Sequence, residues 1–188
     1  MNRSLFKLWH LALSLAILGL IVIFYRGLYG NPSYIPPVII NTPAPAIAGP
    51  ELYGGKIIRS SDHKGKVIVL NFWASWCLEC VTEHPALLEI NQHYEKDQRF
   101  VMIGVNYQDK NDLAKDYLAK HGNNFVHVVD VDGKISIDYG IYGVPETFVI
   151  DQQGMIRHKL IGPVVGNNYR LLVDGIIEPL LNGQPIKI

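Results

Sequence analysis

The chain has 188 residues, which after a distinctive N-terminal segment leaves enough for one compact domain rather than two. Seventeen Lys and Arg stand against seventeen Asp and Glu, so no net field draws the chain to nucleic acid or to an acidic partner. Its two cysteines, Cys77 and Cys80, are too few for a Cys-rich structural zinc site and too close together to staple a fold.

From Leu8 to Tyr25 the sequence is almost wholly apolar, interrupted by His10, Ser14 and Gly19, and a run of about 18 such residues just crosses a hydrocarbon core. Arg3 and Lys7 precede the run and Arg26 follows it, a bias that favours an inside N-terminus and an exported C-terminal domain. A cleaved signal peptide would need a small-x-small site close behind. Tyr25-Arg26-Gly27-Leu28-Tyr29 supplies none, and the first such triplet, Ala46-Ile47-Ala48, lies far downstream. Residues 1–30 are therefore expected to be a cytoplasmic tip and a retained single-pass anchor. Residues 31–50 carry Pro32, Pro36, Pro37, Pro43, Pro45 and Pro50, which disfavour helix and predict a stiff, extended linker before a domain at 51–188.

Within the domain, Lys66 to Trp73 is a short β-branched and aromatic run, apolar on both faces like a central strand of a covered sheet. It leads into Cys77-Leu78-Glu79-Cys80, after which Val81, Leu87, Leu88, Ile90 and Tyr94 form a helical stripe with Pro85 inside it. Phe100 to Tyr107 reads as a second strand and Asn111 to Lys120 as a helix stopped at Gly122, completing a βαβ unit. Further strands are predicted at Phe125–Val129, Val144–Ile150 and Met155–Ile161, the last two a hairpin about Asp151-Gln152-Gln153-Gly154. Tyr169, Leu172, Val173, Ile176, Ile177 and Leu180 then recur at helical spacing. Asp130-Val131-Asp132-Gly133 lacks the remaining ligands of a calcium loop and reads as a turn.

The cysteines thus fall where a strand gives way to a helix, beneath unpaired N–H groups at the positive end of the helix dipole. Both effects favour thiolate, the attacking species in disulfide exchange. A second thiol three residues on can resolve the mixed disulfide, so Cys77 attacks and Cys80 releases. A purely structural disulfide across two residues closes too small a loop to restrain the unfolded chain much. Zinc would need ligands beyond His84, which the scattered histidines do not supply. Inert buried thiols fit a cytosolic protein better than an exported one. Peroxidase chemistry is disfavoured because the cysteines sit together rather than in separate peroxidatic and resolving positions.

The segment Trp73-Ala74-Ser75-Trp76-Cys77-Leu78-Glu79-Cys80, with Pro85 eight residues beyond Cys77, resembles the active-site segment of thioredoxin-like proteins. Tyr139 to Asp151, containing Gly143-Val144-Pro145-Glu146-Thr147, closely resembles the second signature of the CcmG/DsbE branch, membrane-tethered reductants of cytochrome c maturation. With Glu83-His84-Pro85 and the N-terminal anchor, the resemblance runs from about Thr42 to the C-terminus. It implies an α/β, thioredoxin-like fold, a central mixed β-sheet flanked by helices and preceded by one transmembrane helix. It makes Pro145 a cis-proline lying against the cysteine pair and gives the Val144 backbone the role of pairing with an extended substrate. Trp76, Glu83 and Glu146 would shape the site. No cofactor is expected beyond the redox-active Cys77–Cys80 disulfide.

Two residues depart from the wider pattern. Leu78 stands where many relatives carry proline, so the helix start lacks that rigidifying ring, a difference that bears on redox tuning. Asn71 occupies the position of a buried carboxylate in thioredoxin and cannot take a proton, leaving Glu83, Glu146 or water as base for Cys80. Negative charge from Glu79, Glu83 and Glu146 would disfavour a neighbouring thiolate and lean the protein towards a reductant. The resemblance further implies a bacterial inner-membrane protein with a periplasmic domain. Its substrate would be the disulfide of an apocytochrome c Cys-x-x-Cys-His segment, and its electrons would come from a membrane thiol-transfer protein of the DsbD type. A broader exported thiol reductase and a non-catalytic haem-assembly tether are the rival readings.

Overall fold

A computed structural model of the chain describes residues 3–29 and 40–186. Two units are distinct, Met1–Pro37 and Val38–Ile188. The first contains helix α1, Arg3–Tyr29. Its stretch Lys7–Arg26 is long and apolar enough to cross a membrane. Ser14 is compatible with lipid because its hydroxyl donates to the His10 carbonyl at 2.9 Å within the helix.

In the second unit a five-stranded mixed sheet is built from β3 (Val67–Trp73), β4 (Phe100–Tyr107), β5 (Val126–Asp130), β6 (Glu146–Ile150) and β7 (Ile156–Ile161), in the order β5-β4-β3-β6-β7. Strands β3, β4 and β5 run parallel, while β6 is antiparallel to β3 and β7 to β6. The parallel steps are made through helices α2 (Leu78–Tyr94) and α3 (Asn111–His121), as the periodicity predicts. All seven residues of β3 are buried, which follows from its central place and from helices or loops covering both faces.

Alternation along the strands separates two cores. Val67, Val69, Met102, Val149 and Leu160 pack with Leu87, Ile90 and Tyr94 of α2 and with Leu172 and Ile176 near the C-terminus. Ile68, Leu70, Phe72, Ile103, Val105, Phe148 and Ile150 point to the other face, where Tyr139 and Ile135 cover them. A helix α4, Lys134–Asp138, helps form that cover and is too short to show in periodicity. It is held by buried Asp130, whose carboxylate accepts from the amides of Ile135 (3.0 Å) and Ser136 (2.9 Å) and from the Ser136 hydroxyl (2.6 Å). The acidic turn here is a helix clamp.

The expected linker through Pro50 is corrected at its C-terminal end. Residues Asn41, Thr42 and Ala44 exchange backbone hydrogen bonds with Gly154 and Ile156, and Ile47 is buried. Strand β1 (Ala48–Pro50) then pairs antiparallel with β2 (Ile57–Arg59). Proline is tolerated in such a two-stranded edge because one side of the strand needs no donor. Gly49 permits the close approach to β5, since a Cβ there would lie 2.6 Å from Val128 Cγ1. Residues 31–39 of the expected linker lie outside the described residues.

The C-terminal helical stripe has three parts, α-helical Asn167–Arg170, π-helical Leu171–Ile177 and α-helical Glu178–Leu181. Sequence spacing alone predicts uniform winding. Pro179 explains the difference, because it cannot donate to the carbonyl of Gly175 and its ring crowds that carbonyl in an α-helix.

Candidate active site

Strand β3 ends at Trp73, and four residues later Cys77 caps helix α2 with extended backbone angles of −90° and 112°. Its Sγ accepts a hydrogen bond from the Cys80 amide at 3.0 Å, so the sulfur itself satisfies one orphan N–H of the helix start. The two cysteines are joined by a disulfide bond of 2.09 Å. Both are buried, within a cluster that includes Trp73, Ala74, Ala114, Tyr117 and Leu118. Their neighbours are not: Trp76 is 60% exposed and Leu78 is 82% exposed, so the pair sits under an apolar rim open to solvent.

The turn leading into Cys77 is fixed from β4's far end. Buried Asp109 accepts from the Ser75 amide (2.6 Å) and hydroxyl (2.9 Å), from the Asn106 side chain (3.0 Å) and from the Lys110 amide (2.8 Å). Four donors thus hold one carboxylate, and the carboxylate holds the turn. On the helix side, Tyr117 of α3 donates its hydroxyl to the Cys80 carbonyl at 3.0 Å. Burial pushes that phenol well above its ordinary pKa, so it stays a donor.

Opposite the helix start stands the Val144–Pro145 peptide, which is cis. The Val144 carbonyl oxygen lies 3.5 Å from Cys77 Sγ. Strand β6 begins only at Glu146, so the expected strand start at Val144 is replaced by an irregular segment whose backbone faces the cysteine. Cys77 and the Val144–Pro145 peptide are therefore brought together, with Trp76 next to Cys77 in the chain, the arrangement that the family resemblance implies.

Glu83, one helical turn beyond Cys80, is completely buried. Its Oε1 accepts from the Asn71 side-chain amide at 2.8 Å and its Oε2 from the Val164 backbone amide at 2.9 Å. Asn71 also donates to the Thr147 hydroxyl at 3.0 Å. Burial outweighs these hydrogen bonds and raises the Glu83 carboxyl from its ordinary 4.5 to about 7. A surface carboxylate would show neither property. Asn71 thus anchors a buried carboxyl that titrates near neutrality.

Glu146 is placed differently. It pairs in register with Phe72, so its side chain lies on the sheet face away from α2, alongside Phe148. There it forms a buried ion pair with Lys159, Nζ to Oε2 at 2.8 Å. Its charge is met by a cation, so the expectation that Glu146 adds free negative charge at the cysteines, or serves as base for Cys80, is corrected. The electrostatic case for a reductant then rests on Glu83 and on Glu79, which is exposed.

Asp109, Tyr117 and Lys159 belong to none of the sequence motifs, and Thr147 enters them only as part of the second signature. Asn106 and Asp109 carried a usable signal, as polar residues at the C-terminal end of a strand parallel to β3, where such sheets build their sites. Lys159 carried none, because its partner is on another strand. Among the described residues no cluster of three or more His, Cys, Asp or Glu is placed to hold a metal ion.

Comparison with known proteins agrees with this geometry. A sequence model described as the AhpC/TSA family matches residues 40–159. The chain is 38% identical over 178 residues to the thiol:disulfide interchange protein DsbE of Pseudomonas fluorescens biotype C, covering 89% of this chain and 97% of that protein. It is 34% identical to the thiol:disulfide interchange protein HelX of Rhodobacter capsulatus, covering 81% of this chain and 83% of that one. Among solved structures, a thioredoxin-family thiol:disulfide interchange protein from Chlorobium tepidum superposes with a TM-score of 0.63 at 27% identity, over 75% of this chain and 97% of that chain.

Proposed function

The chain belongs to the AhpC/TSA family and to the DsbE thiol:disulfide interchange proteins, and from that premise we propose that it is a membrane-tethered periplasmic reductant of the disulfide in apocytochrome c Cys-x-x-Cys-His segments. The activity itself, thiol–disulfide exchange, follows from the family and the cysteine pair. The single observation that carries the finer reading is the seating of Cys77, at the start of α2 and 3.5 Å from the Val144 carbonyl, where an extended peptide can lie beside the sulfur.

In the forward reaction the Cys77 thiolate attacks one sulfur of the substrate disulfide. That bond breaks, the distal substrate sulfur leaves as thiolate and takes a proton, and a mixed disulfide with Cys77 remains. Glu83 accepts the proton of Cys80, a transfer for which a carboxyl titrating at about 7 is suited near neutral pH. The Cys80 thiolate attacks Cys77 Sγ, the second substrate sulfur departs, and the Cys77–Cys80 bond closes. Two electrons pass to the substrate. A DsbD-type membrane protein returns them by the reverse exchange.

Ionised Glu83, one helical turn from Cys80, disfavours thiolate and hence the reduced form, which makes the protein the better electron donor. Helix α1, with Arg3 and Lys7 before its apolar stretch and Arg26 after it, supports an inner-membrane anchor and an exported domain. The test is a Cys80→Ala variant, which leaves Cys77 unable to release its partner. Recovery of apocytochromes c as mixed disulfides is expected. A wide mixture of exported proteins would replace the narrow substrate with a broad one, and no trapped partner at all would refute the attacking role of Cys77.

A further inference from the structure

Lys159 lies on β7, outside every motif of the site, yet its side chain is buried to 4% exposure. Besides the ion pair with Glu146, Nζ donates to the Gly140 carbonyl at 2.9 Å. It also sits over the ring of Tyr142, 4.8 Å from the centroid, and 5.2 Å from that of Phe148. The second oxygen of Glu146 accepts from the Tyr142 amide at 3.0 Å. One buried cation and one buried anion, on adjacent strands, therefore grip residues 140–142 by a carbonyl, an amide and an aromatic face. Those residues have no regular secondary structure of their own and lead directly into Val144.

We propose that Lys159 is a positioning residue for substrate: with Glu146 it staples the 140–142 segment so that the Val144 backbone is held ready to pair with the incoming peptide beside Cys77. This deepens the reading of the site as one that takes an extended peptide, and rests on it. Fixing backbone in advance removes an ordering cost from binding. A buried cation is a strong choice for such a staple because, once paired, neither charge can leave without exposing the other. The Tyr142 ring, 65% exposed on its outer side, becomes part of the rim at the same time. Lys159 stands two strands away from β3 in the sheet, and its contacts are with Glu146, Gly140, Tyr142 and Phe148, so it acts on the segment rather than on the exchange itself.

The full-length protein, reduced in advance, is mixed with excess synthetic peptide carrying an internal Cys-x-x-Cys disulfide, and release of peptide thiols is followed through a single turnover. Lys159→Met is expected to raise the half-saturating peptide concentration about tenfold while the plateau rate stays within about twofold. Lys159→Arg, which keeps the charge, is expected to recover most of the loss. Should Lys159→Met fail to fold, the double variant Lys159→Met, Glu146→Gln removes the unpaired buried charge and is expected to show the same weakened half-saturation. An unchanged half-saturation in a folded variant overturns the inference, as does a plateau rate that falls by as much as affinity. If the unaltered protein does not reduce the peptide, the peptide-binding reading itself has failed, and the two failures are distinguishable.

Discussion

Burial of Glu83 has a consequence for stability that isolates this one carboxyl. The oxidised protein is unfolded with urea between pH 4 and pH 8, alongside Glu83→Gln. In the folded state the carboxyl titrates at about 7 instead of its ordinary 4.5. Protonated Glu83 is therefore favoured by folding, and that contribution is fully present below pH 4.5 and lost as pH rises through 7. A displacement of this size, at about 1.4 kcal/mol per pH unit, amounts to about 3 kcal/mol. The histidines act in the opposite direction. His127 is lowered to about 3 by burial and His84 is lowered for the same reason, so their contribution is lost as pH falls below 6.5. Subtracting the unaltered protein's curve from that of Glu83→Gln removes the histidines, which are common to both. The variant's relative stability should rise by about 3 kcal/mol from pH 4 to pH 8, most of it between 4.5 and 7. A pH-independent offset is also expected, because Gln turns one accepting oxygen into a donor facing another donor. A difference curve flat to within about 0.5 kcal/mol would refute the raised carboxyl and, with it, the fitness of Glu83 as proton acceptor for Cys80.

Other substitutions probe the scaffold of the site. Asp109→Asn turns a carboxylate held by four donors into a group that must oppose one of them, and urea unfolding should show a loss of about 2–3 kcal/mol with retained secondary structure. Tyr117→Phe deletes the donor to the Cys80 carbonyl and should lower stability by about 1 kcal/mol in the same assay; no change would mean the contact contributes nothing net. Gly104→Ala would place a Cβ 3.0 Å from Trp73 Nε1 and closer still to the His127 ring, both buried, and should lower stability by about 1–3 kcal/mol.

Elements with long, clean patterns were readable from the sequence. Strand β3 is legible to within a residue because a doubly covered strand leaves a continuous apolar run, and helix α2 shows as a rough apolar stripe after the cysteines, blurred because it also buries Glu83, His84 and Asn91. The cysteine pair is equally legible from its spacing at the end of a strand, whereas Trp76, Val144 and Pro145 are legible only through the resemblance to thioredoxin-like and CcmG/DsbE proteins. Two kinds of feature were not. Prolines 43, 45 and 50 read as spacer, whereas the backbone around them adds to the sheet and to a two-stranded edge, a choice made by tertiary pairing. Side-chain direction was the other. The alternation of Glu146 with Phe148 places both on one face, but which face the cysteines overlook depends on the register of β6 with β3. The packing of α2 on the sheet buries Glu83 beside Asn71, while the β6 register sends Glu146 to Lys159, separating two carboxylates that look alike in the sequence.

That separation leaves buried Glu83, one helical turn beyond Cys80, and exposed Glu79 to bias the exchange, and the bias has a sign. Equilibrating the folded protein with glutathione or dithiothreitol buffers of known poise and counting free thiols gives the potential of Cys77–Cys80. A reductant disfavouring its own thiolate should lie below about −180 mV. A value near about −120 mV, the range of a strong periplasmic oxidant, would contradict it.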